Sequence, residues 1–215
     1  MQSRTIIVGD IHGCYDELMD LLNQIDFGGS DRIVSVGDLV TKGPKNREVL
    51  ELFMTDSRFD TVIGNHDLAL RLFWSGEEVE LKSSQKETHK ELKEDQHRFM
   101  PYLNSLPFMI DLGSHVVVHA GLRPHVELHS QTTEDLTQLR TLGEDRESKD
   151  GTPWYEVYEG EKFALFGHWP APEPRRGKMA LGLDTGCVYG HHLTAYTIET
   201  GELNFVPARL AYASS

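Results

Sequence analysis

The sequence predicts an α/β fold built on parallel strands. Short β-type apolar runs alternate with helix-spaced patterns through the first half of the chain, and three of those runs end alike, in glycine followed by Asp or Asn. With 215 residues, 39% of them hydrophobic and 26% charged, the chain reads as one globular domain able to bury a substantial core.

Taken in order, "RTIIV" (4–8), "RIVSV" (32–36) and "DTVIG" (60–64) are buried strands. Between the first two, Tyr15 to Ile25 carries Leu18, Leu21, Leu22 and Ile25 at helical spacing, with Asp16 and Glu17 in the first turn, where acids favour the helix dipole. A second helix runs from Asn46 to Thr55, after Pro44. A βαβαβ order places these strands parallel. Residues 77–98 are strongly polar and predict a solvated helix or lid, within a helical insert over 77–106. The second half is richer in strands, at 108–112, 115–122, 162–168, 179–186, 193–198 and 203–207, with a loop over 143–160.

A formal net charge of −13 argues against a broad nucleic-acid surface or binding to an anionic membrane, while a bound metal could still supply local positive charge to a phosphorylated ligand. No apolar run approaches the ~20 residues a spanning helix needs. The opening residues lack a signal-peptide plan, which places the chain in the cytoplasm. Cys14 and Cys187 are too few for a disulfide framework and read as buried free thiols.

The repeated strand endings carry the chemistry. "GDIHG" (9–13), "GDLVTKGP" (37–44) and "GNHD" (64–67) follow successive strands, and "VVVHAG" and "ALFGH" add His119 and His168. Parallel strands align their C-terminal ends along one edge, where such folds place their sites. Asp10, His12, Asp38, Asn65 and His66 therefore converge, although 57 positions span them. Any one of these glycine turns is ordinary turn chemistry; the joint pattern is not. Asp, Asn and His without thiolate suit Mn, Fe or Zn. Asp10, His12, Asp38, Asn65, His119 and His168 are too many ligands for one catalytic metal, and they suit two divalent ions ~3.5–4 Å apart with Asp38 as the bridge.

These blocks, in this order and spanning nearly the whole chain, resemble the signature motifs of the phosphoprotein phosphatase superfamily of calcineurin-like metallophosphoesterases. The resemblance implies two mixed β-sheets packed as a sandwich and flanked by helices, with a dimetal site at the sheet edge. It implies that Asp10 and His12 bind one metal, that Asp38 bridges, and that Asn65, His119 and His168 complete the second. It also implies that His66 is the general acid for the leaving oxygen, that a metal-bridging hydroxide attacks phosphorus, and that Lys42 and, less directly, Arg140 contact phosphate.

Two departures from the protein-phosphatase pattern bear on substrate. Those enzymes read "GDxVDRG" and "GNHE", whereas here Thr41 replaces the carboxylate that orients the histidine, Lys42 replaces Arg, and Asp67 ends the third block. Asp67 is the acid that could compensate beside His66. Lysine offers a point charge where arginine offers a planar fork. "GDLVTKGP" and "GLDTGCVYG" (182–190) resemble symmetrical diadenosine tetraphosphatases and related phosphatases, with Asp184 supporting the ligands or closing a turn. The expected activity is metal-dependent hydrolysis of dinucleoside tetraphosphates, cut symmetrically. The alternative is a Ser/Thr protein phosphatase, followed by polyphosphate or capped-RNA hydrolysis and by a non-catalytic binding module. The sequence leaves the oligomeric state open.

Overall fold

Strands buried on both faces need apolar residues at every position, and the N-terminal runs have them. In the computed structural model, which describes residues 3–143 and 145–214, they form β1 (Thr5–Val8), β2 (Arg32–Ser35) and β3 (Phe59–Thr61). β1 pairs parallel with β2, and β2 with β3. The third strand stops short of the expected 60–64: Val62 still donates to the Ser35 carbonyl, but Ile63 turns to that of Pro107. β9 (His192–Thr197) and β10 (Glu202–Pro207) add antiparallel to the other side of β1, giving the order β10-β9-β1-β2-β3.

A second mixed sheet follows from the later runs. It has the order β4-β5-β6-β8-β7, from β4 (Met109–Asp111), β5 (His115–Val118), β6 (Phe163–Phe166), β7 (Arg175–Arg176) and β8 (Ala180–Gly182). The sheets pack face to face. Ile7, Val34, Val36 and Val62 meet Val117, Leu165, Leu181 and Leu183 in one buried cluster.

The alternate residues point outward under helices, as a period of two requires. Ile6, Val8 and Ile33 pack with residues of α1 (Tyr15–Gln24), α2 (Asn46–Thr55), α3 (Asn65–Trp74) and α5 (Gln96–Ser105). Val116, Val118, Ala164 and Phe166 pack with Leu136 of α6 (Thr133–Gln138) and Trp154 of α7 (Trp154–Val157). Cys14 and Cys187 are buried free thiols.

Three helices went unread in the sequence. α3 opens inside the "GNHD" block, α6 is capped by Thr132, whose hydroxyl accepts from Asp135 N at 3.1 Å, and α7 lies within the expected 143–160 loop. The polar segment forms α4 (Ser83–Leu92) and α5. Among the described residues no helix is long and apolar enough to cross a membrane.

Trp154 anchors the outer face of the second sheet. It is fully buried, lies 4.8 Å from the Phe166 ring by centroids, and donates from Nε1 to the Ala120 carbonyl at 3.1 Å, next to His119. Trp154→Ala is expected to destabilise the fold by about 3–5 kcal/mol, read by chemical denaturation.

Candidate active site

Residues that follow β1, β2, β3 and β6 line one cleft of about 300 Å³, and His119, after β5, is buried against them. Asp38, two residues past Val36, lies at its centre. Its Oδ1 accepts from the His66 backbone N–H at 2.9 Å, and its Oδ2 lies 3.5 Å from both His12 Nε2 and His119 Nε2. Asn65 Oδ1 is 2.9 Å from His119 Nε2 and 3.0 Å from His168 Nδ1. Asp10 accepts from the His168 backbone N–H at 3.1–3.2 Å. All six residues thus meet at one place, each in contact with at least one other.

Two glycines permit the approach. A Cβ on Gly64 would stand 2.2 Å from Asp38 N, and one on Gly167 would stand 1.9 Å from Asp10 Oδ1. The backbone is also bent against preference. His12, Asp38, Thr41, Lys42 and His168 all adopt positive φ, between 47° and 80°. Such conformations cost roughly 1–3 kcal/mol each and persist where surrounding structure enforces them.

Hydrogen bonding fixes which ring nitrogens face the cleft. His12 Nδ1 donates to the Val40 carbonyl at 3.0 Å and His119 Nδ1 to the Val36 carbonyl at 2.9 Å. Each Nε2 therefore presents a lone pair toward Asp38 Oδ2, so three acceptors converge with no proton among them. Lys42 Nζ donates to the lone pair of His12 Nε2 at 2.9 Å. His168 Nε2 is buried with no hydrogen-bond partner. Neutral imidazoles with their far nitrogen tied to a carbonyl are the usual form of metal-binding histidine. This donor set fits divalent cations.

Electrostatics agree. Burial holds His12, His66 and His168 well below the ordinary imidazole range, and His119 at about 4. Burial, reinforced by Asp184 and Asp38, pushes Asp10 well up, while burial lifts Asp38 and Asp184 to about 6. No lysine or arginine pairs with Asp10, Asp38 or Asp184 within 4.0 Å among the described residues.

His66 is held differently from the expectation. Asp67 does not reach it; its carboxylate accepts the backbone N–H groups of Leu39, Val40 and Gly64 at 3.1–3.3 Å. Having spent its oxygens on the loop that carries Asp38, it supports that residue instead. His66 Nδ1 meets Thr41 Oγ1 at 2.9 Å and, from α4, Gln85 Nε2 at 3.4 Å. Gln85 Oε1 accepts from Lys82 N, so its amide nitrogen faces the ring. Gln85 was invisible in the sequence because nothing in the polar segment marks it.

Asp184 lines the cleft and closes a turn onto Gly186 N at 3.0 Å. Lys42 and Arg140 line it as well, Arg140 donating to the Glu147 carbonyl at 2.9 Å while its Nε has no partner. Tyr189, from the 182–190 block, lines it too, with Lys82 and Lys149, which no motif had singled out.

The calcineurin-like phosphoesterase profile matches residues 3–197. The asymmetrical bis(5'-nucleosyl)-tetraphosphatase PrpE of Bacillus subtilis is 30% identical, the alignment covering 97% of this chain and 96% of that protein. The symmetrical bis(5'-nucleosyl)-tetraphosphatase of Vibrio parahaemolyticus is also 30% identical, over 93% of this chain and 97% of its own. A crystal structure provisionally described as a diadenosine tetraphosphatase superposes with a TM-score of 0.81 at 32% identity, covering 96% of this chain and 94% of the other. With matched motifs, fold and cleft, the chain belongs to the calcineurin-like phosphoesterase family.

Proposed function

We propose that this protein hydrolyses dinucleoside tetraphosphates at a centre of two divalent cations, held by Asp10, His12, Asp38, Asn65, His119 and His168 with Asp38 between them. The donor set of nitrogen and oxygen suits manganese, with iron or zinc as alternatives. When bound, the cations supply electrophilic activation of the phosphoryl group and of water. The chain's own residues then decide orientation and substrate. Lys42 and Arg140 bring positive charge to the phosphate, and Asp184 and Asp67 hold the loops that carry the ligands.

The observation that favours an anhydride over a protein phosphoester is the surroundings of His66. Its Nδ1 faces a hydroxyl and an amide N–H, and no carboxylate. With the Gln85 amide donating, Nδ1 is an acceptor, so the ring proton sits on Nε2, facing the cleft. A ring held this way donates a hydrogen bond to the leaving oxygen but has no anion to stabilise an imidazolium. Departure of a serine alkoxide requires a full proton. A nucleotide leaves as a phosphate anion, whose second pKa is near 6, so a hydrogen bond suffices. The tetraphosphatase relatives, aligned over nearly their full length, support the same substrate class.

The direct test compares kcat/KM for diadenosine tetraphosphate with that for phosphoserine and phosphothreonine peptides in Mn²⁺. The tetraphosphate is expected to lead by at least tenfold, and a peptide in the lead would reverse the reading. Product analysis, ADP alone or ATP plus AMP, identifies the bond cut.

Thr41→Asp supplies the missing acceptor at a position where φ is 80°, which Asp tolerates better than a β-branched residue. It is expected to shift the ratio of phosphoserine to tetraphosphate kcat/KM toward the ester by about fivefold or more, measured by steady-state kinetics.

Chelation should expose the buried acids. Asp67 is lifted to about 7 by burial and by Asp38, and Asp10 is lifted strongly. A raised carboxyl holds its proton more tightly folded than unfolded, so its contribution to stability falls as pH rises toward the folded value. The depressed histidines act oppositely, but only below their ordinary 6.5. From about pH 6.5, above which the histidines no longer act, until Asp67 has ionised just past its folded value of about 7, the chelated protein is therefore expected to lose thermal stability, and Mn²⁺ to abolish that slope, read by melting curves with and without chelator.

A further inference from the structure

Most lysines and arginines of this acidic chain sit against a carboxylate, Arg123 and Arg146 on Asp135 and Lys45 on Asp16 being examples. Lys42, Lys82, Arg140 and Lys149 are different. All four line the cleft, and none has a carboxylate within 4.0 Å among the described residues. In a chain of net charge −13, four unpaired cations gathered in one cleft form an anion site.

The four lie in different places. Lys42 is central, its Nζ 2.9 Å from His12 Nε2 and 5.4 Å from the Tyr189 ring centroid. Lys82 stands at the N-terminal cap of α4, and its charge acts on His66 and Asp38. Arg140 acts on His168 and Asp184, and Lys149 follows Glu147, whose carbonyl Arg140 holds. Lys82 is thus tied to the His66 side of the cleft through Gln85, while Lys149 comes with Arg140 from a separate loop of its wall. A single phosphoryl group at the metal centre is already met by the cations there and by Lys42. Two further lysines in the cleft wall are surplus to a phosphomonoester, but they match the charges of phosphates further along a chain.

We propose that Lys82 and Lys149 form subsites for the phosphates that are not being cleaved, and so select polyphosphate chains over phosphomonoesters. This rests on the tetraphosphatase reading for its natural ligand, though the recognised chemistry is the phosphate chain itself. Neither lysine touches the reacting atoms in this assignment; both act on binding. Both are exposed, so their replacement leaves the core intact.

The test uses Lys82→Ala, Lys149→Ala and the double variant, with p-nitrophenyl phosphate as a one-phosphate substrate. Inorganic tripolyphosphate and orthophosphate serve as competing inhibitors at constant free Mn²⁺. Each lost charge-assisted contact is expected to weaken tripolyphosphate about tenfold. The inhibition constant of orthophosphate and kcat/KM for p-nitrophenyl phosphate should stay within threefold. For diadenosine tetraphosphate, KM should rise with kcat nearly unchanged, and Lys→Arg at either position should restore most of the loss. Equal inhibition of wild type and double variant by tripolyphosphate would overturn the subsites, as would a parallel fall on p-nitrophenyl phosphate. If the wild type does not turn over the tetraphosphate yet loses tripolyphosphate binding in the variants, the tetraphosphatase reading fails and the subsites stand.

Discussion

Three carboxylates, Asp10, Asp38 and Asp184, are buried in one small volume where the sheets' strand ends meet, and among the described residues no lysine or arginine pairs with any of them. Burying unpaired anions is among the costlier acts of folding, and their crowding raises each other's affinity for protons. The rest of the site can be understood as the geometry that makes this arrangement pay. Imidazoles are kept neutral by burial and turned by carbonyls so that their lone pairs face the same point as the acids. A protein that concentrates acceptors this way has built for cations it does not itself supply.

The cost is spread over the fold. The strained turns at His12, Asp38, Thr41, Lys42 and His168 hang from strand ends whose side chains are locked between two layers of core. Asp67 ties three backbone N–H groups of the Asp38 and Asn65 loops together. On the other side, Trp154 pins the segment after His119. The mixed sandwich thus acts as a rigid frame on which unfavourable local geometry can be held without relaxing.

The ligand-bearing edge was legible in the sequence because every ligand follows a strand end, Asp10 and His12 sharing β1, close to a glycine. Strands buried on both faces were legible as continuous apolar runs. The helix α3 was not, because its first turn is the "GNHD" block itself, and ligand chemistry masked the capping pattern. Residues that face the cleft from elsewhere left no local trace. Gln85 reaches His66 across 19 positions and Lys149 comes from an irregular loop, so only the folded chain places them. The expected partnership of Asp67 with His66 failed for a geometric reason. A residue at the third position of a helix turns its carboxylate back onto the helix's own N-terminus, here Gly64 N, and away from a ring on the preceding residue.

Two independent features of the cleft bear on the same chemical distinction. The ring of His66 is supported by groups that fix its orientation but cannot carry a developing positive charge, which suits a leaving group already stable as an anion. Lys82 and Lys149, unpaired like Lys42 and lining the same cleft, add charge that a single phosphoryl group does not need, which suits a substrate carrying several. A phosphoserine satisfies neither, since its leaving oxygen is a strong base and it brings one phosphate. A nucleotide polyphosphate satisfies both, because the atom that makes it long, the next phosphorus, is also what makes its leaving group stable. The segment over 77–106 supplies one element of each feature, Gln85 and Lys82, joined to one another by the hydrogen bond from Lys82 N to Gln85 Oε1 at 2.8 Å. A shift in the backbone of that helical turn would therefore alter the support of His66 and the placement of the charge beside it together, whereas loss of the Lys82 side chain alone leaves the backbone N–H that holds Gln85 in place.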